Sequence, residues 1–429
     1  MSALSKRTVV IATAVVVVAG AGTAVALSGG ASGGTHKTGA AADATPTVAV
    51  VSATTTAATT TTATESATST AAPGASEPPT PSTTTATTTT TTVSGTSGDP
   101  GAFADDGTTS LTGFPSLVKF SQALAGSSHV VTTIDPRYQR AAASAVSAKP
   151  LSAMVVLQAD TGKILAMASN GPADLAYHAA RAPGSTFKVV TAEALLRGGM
   201  TPDSPAPCPA KDKTYPITND ETSTVDLQAN LRWGFVHSCN TSFTGLFDQA
   251  ANTPVSQEST TYFGLNQPWD LGLGATLYGV DGGATANVPP ATGQDFAAEL
   301  FGQGAITMSP LNMASVAATV DAGQFRQPVL VPGTTPTAHA QPLNGTVDAD
   351  LKSMMREVVT EGTANGSFAS VSPAVSAKTG TAQANGGEDS WMIAYQGDVA
   401  VACLVEDGGF GNKAAGPEIA AMLNTANGR

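Results

Sequence analysis

Positive charge is scarce in this chain, and no lysine or arginine occurs between Lys37 and Lys119. Over the whole sequence 20 Lys and Arg stand against 32 Asp and Glu, a formal charge of -12. A nucleic-acid binder needs a basic face to neutralise phosphates, so that class is set aside. Cysteine is nearly missing too. Cys208, Cys239 and Cys403 are too few for a disulfide scaffold, and no two have the spacing of a zinc site. The five histidines are scattered without a His-x-x-x-His pair. No metal or other cofactor is expected.

Large apolar residues are few over about a fifth of the chain. Residues 28–112 are dominated by Thr, Ala, Ser, Gly and Pro. Such a stretch buries too little apolar surface to offset the entropy of ordering it, so it reads as a disordered linker. A coil of that length spans roughly 50 Å root mean square. Ahead of it, Lys6 and Arg7 precede Thr8 to Leu27, a charge-free run long enough to cross a bilayer as a helix. The positive flank keeps residues 1–7 in the cytoplasm, with 8–27 as a transmembrane anchor and the rest outside the cell membrane. Ala24-Val25-Ala26 offers the alternative of a cleaved signal and a secreted protein. The run is longer than a signal core, which favours the anchor.

Residues 113–429 read as one folded domain. A strand is expected from Val130 to Ile134 and a helix from Pro136 to Val146. Met154 to Gln158 and Lys163 to Ala168 alternate as strands joined by Asp160-Thr161-Gly162, a hairpin signal. Pro183-Gly184 is a turn, and Val189, Val190, Ala192, Ala194, Leu195 and Leu196 form the apolar face of the helix after it. Helices are expected at Leu227 to Val236 and Thr241 to Ala251. Ser309-Pro310 caps another, and Leu351, Met354, Met355, Val358 and Val359 mark a later one. Strands then follow at Ala374 to Thr381, Trp391 to Tyr395 and Val399 to Val405, with a closing helix at Gly416 to Asn424. The expected fold is of the α/β class, α+β in type: an antiparallel sheet completed by both ends of the domain, flanked by helices, with a helical lobe inserted.

The chemistry starts at Ser185-Thr186-Phe187-Lys188. A serine and a lysine three apart share a helix face, so the amine can take the hydroxyl proton. By itself the pattern is weak, and Ser116 to Lys119 repeats it. Ser238-Cys239-Asn240 lies 53 residues on, and Lys378-Thr379-Gly380-Thr381 begins 140 residues after that. Each is common alone, as the decoy Lys37-Thr38-Gly39 illustrates. Their order and their expected settings, a helix start, an interhelical loop and a late strand, are specific.

With these motifs the chain resembles the penicillin-recognising serine acyltransferases, which comprise penicillin-binding proteins and serine β-lactamases. It is most similar to the transpeptidase domain of class B penicillin-binding proteins, from about Val130 onward. Gly302-Gln303-Gly304 and Ser309-Pro310-Leu311 add to the likeness. Acyl transfer needs a nucleophile, a base, a proton donor to the leaving amine and a grip on substrate. Ser185 is then the nucleophile and Lys188 its base, while Ser238 and Asn240 relay the proton and orient Lys188. Lys378 adds a second cation that attracts a terminal carboxylate, Thr379 and Thr381 supply hydroxyls, and Gly380 lets an extended peptide approach the strand. The resemblance implies an oxyanion hole from the Ser185 and Thr381 N–H groups. His237 has no carboxylate context for a Ser-His pair and reads as a loop histidine.

The resemblance also implies D-Ala-D-Ala stem peptides of peptidoglycan as substrate and β-lactam antibiotics as acylating inhibitors. Glu258, Glu299, Glu357 and Glu361 each lack the Asn three residues on that a class A β-lactamase uses, so a long-lived acyl-enzyme is expected. The low-complexity segment stands where class B proteins usually carry a folded pedestal, which leaves protein partners unknown. D,D-carboxypeptidase, or a weakly catalytic penicillin-binding sensor or wall-binding protein, stays open beside D,D-transpeptidase. Export permits a Cys208–Cys239 disulfide, the alternative being two unrelated small residues. Cys403 reads as a buried free thiol.

Overall fold

The computed structural model of the chain describes residues 108–110, 129–171, 175–219, 225–272, 286–384 and 386–428. The expected tail, anchor and nearly all of the linker lie outside the described residues, as do Lys37-Thr38-Gly39 and Ser116 to Lys119. Among the described residues no helix is long and apolar enough to cross a membrane.

Strands β1 (Thr108–Ser110) and β2 (His129–Val131) form a short antiparallel pair. Helix α1 (Pro136–Val146) follows, with Pro136 in its first turn and the Asp135 carboxylate accepting from the Arg137 N–H at 2.8 Å. Strands β3 (Ser152–Gln158) and β4 (Ile164–Asn170) form a hairpin. After a single turn of helix, α2 (Leu175–His178), comes a 3-10 turn (Gly184–Phe187) that runs directly into α3 (Lys188–Arg197). The helical middle continues through α4 (Leu231–Val236), α5 (Asn240–Thr244), α6 (Phe247–Ala251), α7 (Val255–Phe263), α8 (Gly293–Glu299), α9 (Pro310–Ala322) and α10 (Gly345–Thr360). Strands β5 (Ser376–Ala384), β6 (Gly387–Gln396) and β7 (Val399–Val405) lead to α11 (Ala415–Ala426).

The five later strands make one antiparallel sheet in the order β4-β3-β7-β6-β5. The last strand closes onto the first hairpin, with Ser152 opposite Val405 and Val156 opposite Val401. Sequence ends that lie far apart are thus zipped together, and the helical lobe is an insertion between them. Helices α1 and α11 pack together on one face of the sheet, and α9 covers β3, β6 and β7 from the other. That two-sided cover explains why β7 reads Val-Ala-Val-Ala-Cys-Leu-Val without a polar alternation: every residue after Val399 is buried. Strand β5 is left at the sheet edge, where one side of its backbone can meet a ligand.

Three expectations change in detail. Helix α4 starts at Leu231 and not at Leu227, because the Asn230 side chain takes the Trp233 N–H at 2.9 Å and fixes the start there, while Leu227 is 61% exposed. Thr241 to Ala251 is broken into α5 and α6 at Gly245-Leu246. The β5–β6 hairpin is longer than its apolar residues indicate, since Gln383 pairs with Glu388 through backbone bonds that need no apolar side chain.

Candidate active site

The turn that carries Ser185 is held by backbone. Arg181 and Met308 exchange N–H donations at 3.0 and 2.8 Å, and the Gly184 N–H donates to the Gly302 carbonyl at 3.0 Å. Gly184 has a φ of +53°, and a Cβ there would lie 2.3 Å from the Thr381 carbonyl oxygen. A Cβ on Gly302 would lie 2.0 Å from the Gly184 carbonyl oxygen. Glycine is therefore required at both places, and the turn is wedged between β5 and the Gly302 loop. Ser185, second in the turn, has the orphan N–H of a helix start.

Helix α3 was expected to bury one face. Every residue from Lys188 to Leu196 is buried instead, because α6, α7 and α10 surround the helix. Its two charged side chains inside, Lys188 and Glu193, must find partners there.

Lys188 Nζ donates to the Ser238 carbonyl at 2.6 Å, to Asn240 Oδ1 at 2.7 Å and to Ser185 Oγ at 3.0 Å. The first two acceptors have no proton to give. Asn240 Oδ1 is identified as the oxygen because its Nδ2 donates to the Thr218 carbonyl at 3.1 Å. Each acceptor takes an N–H whether the amine is neutral or protonated. The third position, toward Ser185 Oγ, then carries a lone pair in one state and a proton in the other. This geometry lets one amine alternately take and return a serine proton without moving.

A second lysine arrives from the sheet. Lys378 Nζ on β5 donates to Ser238 Oγ at 2.9 Å, and Ser238 Oγ lies 3.5 Å from Lys188 Nζ. Ser185, Lys188, Ser238, Asn240 and Lys378 form one connected network. Thr379, Gly380 and Thr381 line a cleft of about 300 Å³ beside Ser185. Thr379 Oγ1 meets Thr363 Oγ1 at 2.5 Å.

The lobe reaches this network through a short, tightly held loop. Ser238 has a φ of +59°, a conformation that costs a side-chain-bearing residue about 1–2 kcal/mol. Cys239 is bonded to Cys208. The Asn219 side-chain carbonyl accepts from the N–H groups of both Asn240 and Thr241, at 2.9 and 3.1 Å. His237 stacks on Trp233 at 4.3 Å and contacts the Trp233 carbonyl through Nδ1, so its ring is occupied in the loop.

A family model described as the penicillin binding protein transpeptidase domain matches residues 152–424. The chain belongs to this family. The peptidoglycan D,D-transpeptidase PbpA of Mycolicibacterium smegmatis is 31% identical over 364 residues, covering 70% of this chain and 71% of that protein. Its namesake in Mycobacterium tuberculosis is 29% identical over 366 residues, covering 70% and 71%. A ceftriaxone acyl-enzyme structure of penicillin-binding protein A from M. tuberculosis superposes with a TM-score of 0.59 at 25% identity, covering 72% of this chain and 83% of that one.

Within this transpeptidase domain, several cleft residues carried no sequence signal. Asn219, Thr363 and the Phe410-Gly411-Asn412 loop all line the cleft, but none sits in a periodic or motif context. Glu193, midway along α3, is pushed from an ordinary 4.5 to about 8, by burial first and by neighbouring Glu258 second. It shares the Arg197 guanidinium with Glu258, which holds the closer contact. Cys403 is a buried free thiol whose Sγ donates to Glu418 at 3.1 Å. Burial pushes that thiol up, and it also carries the Glu418 carboxyl to about 7.

Proposed function

We propose that the protein is a peptidoglycan D,D-transpeptidase that works through a Ser185 acyl-enzyme and is acylated by β-lactams. The observation that carries this is the Lys188 amine, with two of its positions spent on fixed acceptors and the third aimed at Ser185 Oγ.

In the forward half-reaction Ser185 Oγ bonds to the carbonyl carbon of the penultimate D-Ala while its proton moves to Lys188 Nζ. The N–H groups of Ser185 and Thr381 stabilise the oxyanion. The peptide bond then breaks, and the terminal D-Ala leaves with a proton delivered through Ser238 Oγ, which lies between the two lysines. Lys378 and the hydroxyls of Thr379 and Thr381 hold the terminal carboxylate. In the return half-reaction an acceptor amine attacks the ester, gives its proton back through Lys188, and frees Ser185.

The sequence supports a domain held at the outer face of the cell membrane, with residues 1–7 in the cytoplasm, an anchor at 8–27 and a linker over 28–112. The test is incubation of the purified chain with a labelled D-Ala-D-Ala pentapeptide and an amine acceptor. Crosslinked dimer is the expected product. Tetrapeptide without dimer would make it a D,D-carboxypeptidase. No consumption of peptide, with penicillin still bound, would leave a sensor.

A further inference from the structure

The Ser238–Asn240 loop opens helix α5, and the first N–H groups of any helix need acceptors. The residue at the cap position is Cys239. Its sulfur is committed to Cys208 and, of the helix's backbone donors, takes the Ser242 N–H, at 3.2 Å. The N–H groups of Asn240 and Thr241 are taken by the side chain of Asn219, some twenty residues upstream. This cap is supplied from another segment. The Asn219 amide is anchored in turn, donating to the Pro209 carbonyl at 3.1 Å and to Thr241 Oγ1 at 3.3 Å. Thr241 Oγ1 has its own proton on Pro209, at 2.6 Å.

We infer that Asn219 is a positioning residue for acylation, holding Asn240 where its Oδ1 meets the Lys188 amine. The disulfide fixes Cys239 but takes neither N–H of the two peptide planes after it. Asn219 fixes those planes by binding two successive N–H groups with one oxygen. Asn240 Oδ1 is 2.7 Å from Lys188 Nζ, and a small rotation of the loop removes that contact. The inference rests on the roles given above to Ser185, Lys188 and Asn240.

The test measures the second-order rate of labelling by a fluorescent penicillin, with a thermal melt, for the full chain and four variants: Asn219→Ala, Asn219→Asp, Asn240→Ala, and the double Asn219→Ala/Asn240→Ala. Asn219→Ala is expected to label at least about tenfold more slowly, the scale of one lost buried hydrogen bond. Asn219→Asp keeps an oxygen for both N–H groups and is expected to recover most of that loss. The double variant is expected to label no more than about twofold more slowly than Asn240→Ala, since both changes act through one contact. Wild-type labelling by Asn219→Ala, or losses that multiply in the double variant, would overturn the inference. Should Asn219→Ala not fold, Asn219→Asp decides: wild-type melting with labelling slowed tenfold overturns it, and near-normal labelling upholds it. Wild-type labelling by Asn240→Ala overturns both this inference and the role of Asn240. A slow Asn240→Ala beside a normal Asn219→Ala overturns this one alone.

Discussion

The two walls of the cleft are built on different principles. The sheet wall, with Lys378 to Thr381, is an edge strand in regular register, Lys378 opposite Ile393 and Gly380 opposite Trp391, over a buried apolar core. The Ser185 turn is locked to it by the close approach of Gly184 to Thr381. The lobe wall is a single loop with a left-handed serine, one disulfide and one amide cap. A close-packed contact has no room for an added group, whereas a loop held by a few polar contacts is loosened when one of them is lost. On the proposed mechanism, the sheet wall sets where Ser185 stands, and the lobe wall sets whether Lys188 is in register with it.

Breaking the sheet wall at its tightest point gives the largest effect. Gly184→Ala forces a methyl against the Thr381 carbonyl and a non-glycine residue into a positive φ. Penicillin labelling is expected to fall by roughly a thousandfold, with a stability loss on the order of 3 kcal/mol by denaturant titration. On the lobe wall, Ser238→Ala and Ser238→Gly both remove the hydroxyl between the lysines and are expected to slow labelling about 100-fold. Glycine relieves the backbone strain that alanine keeps, so Ser238→Gly should be the more stable of the two by about 1 kcal/mol. Equal stabilities would show that the left-handed serine is not strained.

Removing the bridge with Cys208→Ser/Cys239→Ser opens a loop of 31 residues and is expected to cost about 3–4 kcal/mol in stability. Labelling should fall only about tenfold, because the Asn219 cap persists. The smallest effect is away from both walls. Glu193 has a folded-state value near 8, above its ordinary 4.5. The folded protein therefore holds a proton that the unfolded chain releases across that window, and stability is lost as pH rises through it. Glu193→Gln removes this dependence. Its melting temperature should gain on that of the parent from pH 5 to pH 8.5, with labelling at neutral pH unchanged.

Much of the sheet was legible because its signals are local. Asp160-Thr161-Gly162 marks the first hairpin, and Val399 to Val405 reads as a strand by its unbroken apolar run. The lobe was less legible. Leu227 is apolar but exposed, so the pattern overran the start of α4, and Gly245 divides a stretch whose composition is helical throughout. The motif residues could be named from order and spacing. Asn219 could not, because its role arises from a contact with Asn240 and Thr241 across the fold, and an asparagine in a loop looks the same whether or not it caps a distant helix. The burial of Glu193 was hidden for a similar reason: a helix reads as amphipathic from its own residues, and only its neighbours decide how many faces are covered.

The central claim is that Ser185 is the nucleophile of a site whose base, relay and carboxylate anchor come from both walls. Mass spectrometry of the intact chain after exposure to penicillin G, followed by peptide mapping, tests it most directly. One adduct on the peptide carrying Ser185, persisting for hours, is the predicted result. No adduct, an adduct on another residue, or release of hydrolysed penicillin within seconds would contradict it.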